Sequence, residues 1–330
     1  VKRFSSILIA LIFISSFYST VLLGGSGRSE LRCETKYPVM LVHGFLFRDK
    51  TFGINYWGNI PRKLNKEMKH PVLYGEQNGW DSMKEGAYDL YKRIDRFFAL
   101  NPKIKKINLI CHSQGAIEIR YMIAHYGNED VYGRKLKNRV ASITSMCSPH
   151  RGTKFVSFLK EALLDNFNPT LRNLTEKLLT LVSIIEGDID SSVFGPLDMH
   201  PSAMEQINKD IKDKLGYDDL KDNKGIKGIF CQSWAGGLKT PISADPPINI
   251  GYLIQKFYGD KDNDGIVPGY STPFGLHKGK ARVPRWNLIG LGHQAMVDRE
   301  LMGLFPGSTP GFDITEFYLD MVEDLKNRGL

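Results

Sequence analysis

Four cysteines in 330 residues allow at most two disulfides, so a chain of this size must rest on a hydrophobic core rather than on cross-links. No segment repeats at a period of 20 to 50 residues, which excludes solenoids and propellers. A basic stripe interleaved with aromatics is also missing. The formal net charge is +8, but the 44 Lys and Arg are scattered among 36 acids. The run from Lys209 to Lys227 reads as a solvated helix and loop, and nucleic acid is not an expected partner. Long apolar runs are absent except for one, Ile7 to Leu23, which follows Lys2 and Arg3 and precedes small residues from Gly24 to Gly27. That pattern predicts a secretory signal peptide over residues 1–27 and a secreted or periplasmic protein. The run is long and lacks an Ala-x-Ala site, so an uncleaved membrane anchor is the alternative. Export would permit a disulfide, for which Cys33 and Cys231 are the pair to consider. Cys111 and Cys147 should end neighbouring buried strands as free thiols.

What remains, 42% hydrophobic, alternates strand and helix signals in the manner of a single α/β domain over residues 28–330. The strand candidates are Val39 to Val42, Val72 to Tyr74, Ile107 to Cys111, Val140 to Met146, Ile226 to Ser233 and Val283 to Ile289. Between the second and third, Met83, Ala87, Leu90, Ile94, Phe97 and Phe98 recur at helical spacing, with Ser82 and Glu85 as a capping box. A second helix should run from Ser113 to about Tyr126 and stop at Gly127. The expected architecture is a mostly parallel central sheet flanked by helices.

The most informative stretch is Asn108-Leu-Ile-Cys-His-Ser-Gln-Gly115, an apolar strand ending in a His-Ser-x-Gly turn that opens a helix. It has the form of a nucleophile elbow, in which a serine sits on a strained strand-to-helix turn beside a helix N-terminus. Ser113 is the candidate nucleophile. Positions two before and two after it must be small; Gly115 meets this demand and Cys111 approaches it. Upstream, a buried strand runs into His43-Gly44-Phe45, and in such a fold this turn and the residue after the serine each lend a backbone N–H to an oxyanion hole. The donors would be Phe45 and Gln114. Downstream, Asp264 lies on the tight turn Asn263-Asp-Gly265, and His293 follows Gly290-Leu-Gly292. Nucleophile, acid and histidine then occur in the chain order of an α/β-hydrolase, with Ser113, Asp264 and His293 as the triad.

Together with Ile54-Asn-Tyr-Trp-Gly-Asn-Ile-Pro61, Ile119-Arg-Tyr-Met, Ser148-Pro-His-Arg-Gly-Thr153 and Gln232-Ser-Trp-Ala-Gly, these segments make the chain resemble the secreted bacterial true lipases of the pseudomonad type, from about Tyr37 to His293. The resemblance implies a triacylglycerol lipase, acting on lipid or ester substrates at an oil–water interface; a monomer is expected. It also implies a mobile lid, a structural calcium site and, in many members, a dedicated membrane-anchored foldase. A phospholipase or a short-chain or polyester esterase with the same triad is the alternative, since the elbow reports acyl transfer and not the alcohol. A catalytically dead lipid-binding hydrolase fold is the third reading. The chemistry itself requires no cofactor.

Phe155 to Ile185 is rich in Leu, Phe and Ile at helical spacing, at the point where such folds insert a cap, here over about 155–225. Phe155, Phe158, Leu159, Leu163 and Leu164 are the lid-face candidates, with ordinary core helices as the alternative. For calcium, Asp245 in Ala-Asp-Pro-Pro matches the family's first carboxylate, but Ala295 stands where the second should be, and Asp298 is the nearest substitute. The 260–271 stretch resembles half an EF-hand loop, with Ser271 where the twelfth-position Glu would stand. Asp262 is the alternative acid to Asp264. His112, His43 and His150 are expected to pack or brace rather than catalyse.

Overall fold

The computed structural model describes residues 31–45, 50–51, 54–164, 195–300, 305–306 and 309–330. From Arg32 onward they belong to one compact unit. The expected signal segment lies outside the described residues, as does 165–194 of the expected cap.

Six parallel strands form the central sheet: β1 (Val39–Val42), β2 (Leu73–Tyr74), β3 (Ile107–His112), β4 (Val140–Met146), β5 (Phe230–Ala235) and β6 (Leu276–Lys280), in spatial order 2-1-3-4-5-6. The return beside β1 before the sheet grows the other way is what a doubly wound sheet requires, and it opens a crevice at the carboxyl ends of β1 and β3. β3 is buried along its whole length, as a central parallel strand covered on both faces must be.

Strand alternation sorts the side chains into two cores. Met40 and Val42 of β1, with Leu109 and Cys111 of β3, pack against α2 (Met83–Leu100), α3 (Gln114–Tyr126) and α5 (Pro201–Leu215). Val39, Leu41 and Ile110 face the other way, onto α1 (Ile60–Glu67) and α7 (Ile314–Asn327). Each buried Leu or Ile contributes about 1.5–3 kcal/mol. The predicted capping box is present: Ser82 accepts the Glu85 N–H, and the Glu85 carboxylate accepts the Ser82 N–H. α3 ends at Tyr126 with Gly127 as its cap.

Two strand expectations need correction. Val283 to Ile289 is not a strand: Pro284 opens a turn whose carbonyl accepts the Asn287 N–H, and the Asn287 side chain takes the amides of Ile289 and Gly290. The sixth position goes instead to polar Leu276–Lys280, an edge strand with a partner on one side only, which needs no apolar alternation. The fifth strand starts at Phe230 rather than Ile226, because Gly225 and Gly228 hold positive φ and turn the chain before it can pair. The Cys33–Cys231 pairing is also overturned. All four cysteines are free and buried; Cys33 belongs to the α1/α7 core and Cys231 to the other.

Candidate active site

At the end of β3 the backbone of Ser113 takes φ 53° and ψ −128°, a conformation costly for any residue with a Cβ. Its N–H donates to the Met146 carbonyl at 2.9 Å, and its side chain does not cap the helix it opens. The strain is enforced by close approach. A Cβ on Gly115 would lie 2.2 Å from the His43 carbonyl oxygen, and one on Gly44 would lie 2.7 Å from the Ser113 Cβ. Glycine is therefore required at both positions, and the turn after β1 is pressed against the elbow. Cys111, with its side chain in the core, fits without disturbing the turn; burial pushes its thiol well above the usual range.

This approach brings the two candidate oxyanion segments together. Gln114 is the first residue of α3, where backbone N–H groups have no intrahelical acceptor. Phe45, half-buried, packs edge-on against Trp80 with ring centroids 5.7 Å apart.

His293 and Asp264 bond each other through side chain and backbone. His293 Nδ1 lies 2.9 Å from Asp264 Oδ2, and the His293 N–H donates to the Asp264 carbonyl at 2.8 Å. The other carboxylate oxygen, Oδ1, accepts the amides of Ile266 and Val267 at 3.0 and 2.7 Å. Gly265 permits this hairpin: at φ 99° it passes so close to α6 (Pro246–Phe257) that a Cβ would lie 2.6 Å from the Ile248 carbonyl oxygen. Asp262, the alternative acid, instead forms an exposed ion pair with Lys280, while Asp260 faces Lys154. Three carboxylates with three separate partners do not make an EF-hand-like cation site.

The other histidines brace. His112 is fully buried; the Tyr56 hydroxyl bonds its Nδ1 at 2.6 Å, and its Nε2 is 3.2 Å from the His293 carbonyl oxygen. Burial, then the neighbouring His293, holds His112 well below the usual histidine range. A neutral ring with the proton on Nε2 satisfies both contacts. Since Tyr56 Oη also accepts the Gly44 N–H at 3.2 Å, one chain of bonds ties the Gly44–Phe45 turn to the backbone of His293. His43 faces the Gly44 and Gln77 carbonyls, and the Gln77 amide returns a bond to the His43 carbonyl. His150 bonds Ser145 at 2.8 Å beside the buried Arg120–Asp219 pair, and burial holds it, too, well below its usual range.

Tyr56, Gln77 and Glu118, whose buried carboxyl accepts the Gln77 side-chain amide at 3.1 Å, carry this bracing and escaped the sequence reading. Tyr56 stood inside the quoted Ile-Asn-Tyr-Trp run; Gln77 and Glu118 had no motif to flag them.

Of the lid candidates, Phe155, Phe158 and Leu159 are half-buried on α4 (Lys154–Leu164), which packs on α6; the side chains of Leu163 and Leu164 lie outside the described residues. α6 adds a feature the sequence reading did not weigh, with Ile250, Leu253 and Phe257 exposed at 39, 53 and 86%.

Asp245 is buried at the N-cap of α6. Ala295 offers no side-chain oxygen. Asp298 Oδ2 accepts the Asn59 N–H at 2.6 Å, and a Cβ on Gly58 would lie 2.5 Å from the same oxygen. Among the described residues one trio of His, Cys or acidic side chains could share an ion, His112, Cys147 and His293, with ligand atoms within 4.8 Å of one another. Burial, reinforced by adjacent Asp264, pushes the Cys147 thiol well above its usual range, and both histidines already serve the bonds above.

Known proteins are similar to this chain in sequence and in fold. The chain is 24% identical to a triacylglycerol lipase of Vibrio cholerae over 81% of its own length and 85% of that protein. It is 22% identical to a triacylglycerol lipase of Pseudomonas fragi over 90% and 98%. Lipase 1 from Pelosinus fermentans superimposes with a TM-score of 0.59 at 16% identity, covering 88% of this chain and 99% of that one. The fold is therefore that of the α/β-hydrolases, as the motifs implied. Residues 38–224, more than half of the chain and including the elbow, match the model for palmitoyl protein thioesterase, so that the chain belongs to the palmitoyl protein thioesterase family.

Proposed function

We propose that the chain is a serine hydrolase of lipid acyl esters, triacylglycerol foremost, with Ser113 as nucleophile, His293 as base and Asp264 as its orienting acid. The buried His293–Asp264 bond, together with a strained elbow serine whose preceding residue His112 contacts the His293 backbone, carries this reading. Asp264 would hold the imidazole with its proton on Nδ1, leaving Nε2 to take the Ser113 proton as the hydroxyl attacks the ester carbonyl. The Phe45 and Gln114 N–H groups would receive the oxyanion, worth about 3 kcal/mol per donor. His293 then protonates the leaving alcohol, and water releases the acid from the acyl-serine by the same steps in reverse.

The relatives named as triacylglycerol lipases and the exposed apolar edge of α6 support a lipid ester substrate. The family match supports a second reading, a fatty-acyl thioester, in which the same acyl-serine forms and a thiolate leaves. With Ala295 lacking an oxygen and Asp298 facing Asn59, the residues do not fit the two-carboxylate calcium site of the resembling lipases, and no step runs through a metal. Secretion through residues 1–27, a lid on α4, action as a monomer and folding with help from a dedicated foldase remain part of this proposal. Among the described residues no helix is long and apolar enough to cross a membrane.

An organophosphonate tests the nucleophile. It should label the unmodified protein on Ser113 and leave Ser113→Ala untouched, with turnover reduced by several orders of magnitude. Label on Cys111 would sink the assignment. Emulsified triglyceride, phospholipid, a soluble short ester and a palmitoyl thioester, compared by kcat/KM, decide between the substrate readings.

A further inference from the structure

Glu118 lies on α3, five residues beyond Ser113, and is fully buried. A buried carboxyl usually meets a cation, but this one is held by two amides. The Gln114 side chain donates to Oε1 at 2.7 Å and the Gln77 side chain donates to Oε2 at 3.1 Å. The same Gln77 amide donates to the His43 carbonyl at 2.9 Å. Gln114 follows the nucleophile, and His43 leads into Gly44-Phe45, so a single carboxyl joins the two segments offered above as oxyanion donors. α2 is shaped for it: a Cβ on Gly86 would lie 2.5 Å from Glu118 Oε1.

The amide oxygens of Gln77 and Gln114 are buried, and neither has a hydrogen-bond partner. An ionised Glu118 can only accept, which the N–H groups satisfy. A protonated Glu118 has an O–H to give, and turning the Gln114 amide end for end would present an oxygen to receive it.

Resting on the Ser113 reading, we propose that Glu118 is a positioning residue of the acyl-transfer site: as the neutral acid it joins the Gln114 and His43–Phe45 segments, and as the anion it sets a negative charge behind the pocket where the oxyanion forms. Burial pushes the Glu118 carboxyl up to about 8; Asp81 and Asp89 on the α2 side push the same way, and the Gln114 and Gln77 amides oppose them. The surrounding elements also carry Lys84, Glu85 and further charged residues on α2, Arg120 on α3, His43 near the end of β1, and Cys111 and His112 on β3. The neutral acid therefore dominates at pH 7, and the anion grows in across the alkaline range.

The test measures kcat and KM on a soluble ester, and the rate of phosphonate labelling of Ser113, from pH 6 to 10. In the unmodified enzyme kcat should fall about tenfold on the alkaline side, through a midpoint near 8. Glu118→Gln cannot ionise, yet keeps a donor and an acceptor in the same volume. It should lose the alkaline fall in both kcat and labelling while staying within about threefold of the unmodified rate at pH 7. Glu118→Leu should lower kcat at least about tenfold at every pH with KM within about twofold. An alkaline fall that persists unchanged in Glu118→Gln, or its absence from the unmodified enzyme, overturns the inference. Failure of the nucleophile reading is distinguishable, because Ser113 would then not be labelled in any variant.

Discussion

Asp264 spends one carboxylate oxygen on His293 Nδ1 at 2.9 Å and the other on two backbone amides of its own turn, those of Ile266 and Val267. The acid is thus clamped from behind while it orients the imidazole, and neither side chain is more than 5% exposed. Asp264→Asn should keep the fold but present an N–H where His293 needs an acceptor, favouring the wrong tautomer. A loss of kcat of about 10⁴-fold with Tm nearly unchanged is expected. A loss below about tenfold would show that Asp264 does not orient the base.

Phe155, Phe158 and Leu159 are half-buried on α4, which packs on α6 with Phe155 beside Gly251, and Leu253 and Phe257 of α6 are exposed. If these helices form the entrance, the rate on a sparingly soluble ester should jump as its concentration passes the solubility limit, because an apolar face needs lipid to open at low cost. Replacing Phe158 and Leu159 with Ser should flatten that jump and leave hydrolysis of a soluble ester within about twofold. Smooth saturation in the unmodified enzyme would make α4 an ordinary packing helix.

Calcium removal should matter little. Asp298 faces the Asn59 amide, and Ala295 supplies no ligand, so a two-carboxylate site of the lipase type lacks one of its charges. A chelator should leave the initial esterase rate and the melting temperature nearly unchanged. A drop of several degrees, restored by calcium and absent from Asp245→Ala, would reveal a site built from other oxygens around Asp245.

The parts of this protein legible in the sequence share one property: their determinants are local. The helix from Met83 to Leu100 is specified by apolar residues at steps of three and four and by a Ser82–Glu85 capping box. The central strands Val39–Val42, Ile107–His112 and Val140–Met146 are buried along their whole length and, Asn108 and His112 apart, are runs of apolar or small residues, because a strand covered on both faces has no solvent side to show. The elbow is legible for the same reason, since the approach that forces positive φ on Ser113 demands glycine two residues later.

What the tertiary structure alone decided concerns partners distant in the chain. That polar Leu276–Lys280 is a strand while apolar Val283 to Ile289 is not depends on a free sheet edge beside β5 and on the Pro284 turn. No propensity could have ranked the two. That Asp264 rather than Asp262 meets His293 depends on a hairpin held against α6 at Gly265, and that Asp298 meets Asn59 depends on the close approach of Gly58. Glu118 is the extreme case. Its sequence neighbours mark it as one polar residue in an apolar helix, and its chemistry comes from an amide at the start of its own helix and one on a remote segment, 4 and 41 residues away. Local pattern determined which segments could be strand, helix or elbow; only packing, which sets burial and brings remote dipoles into contact, decided what each polar side chain is for.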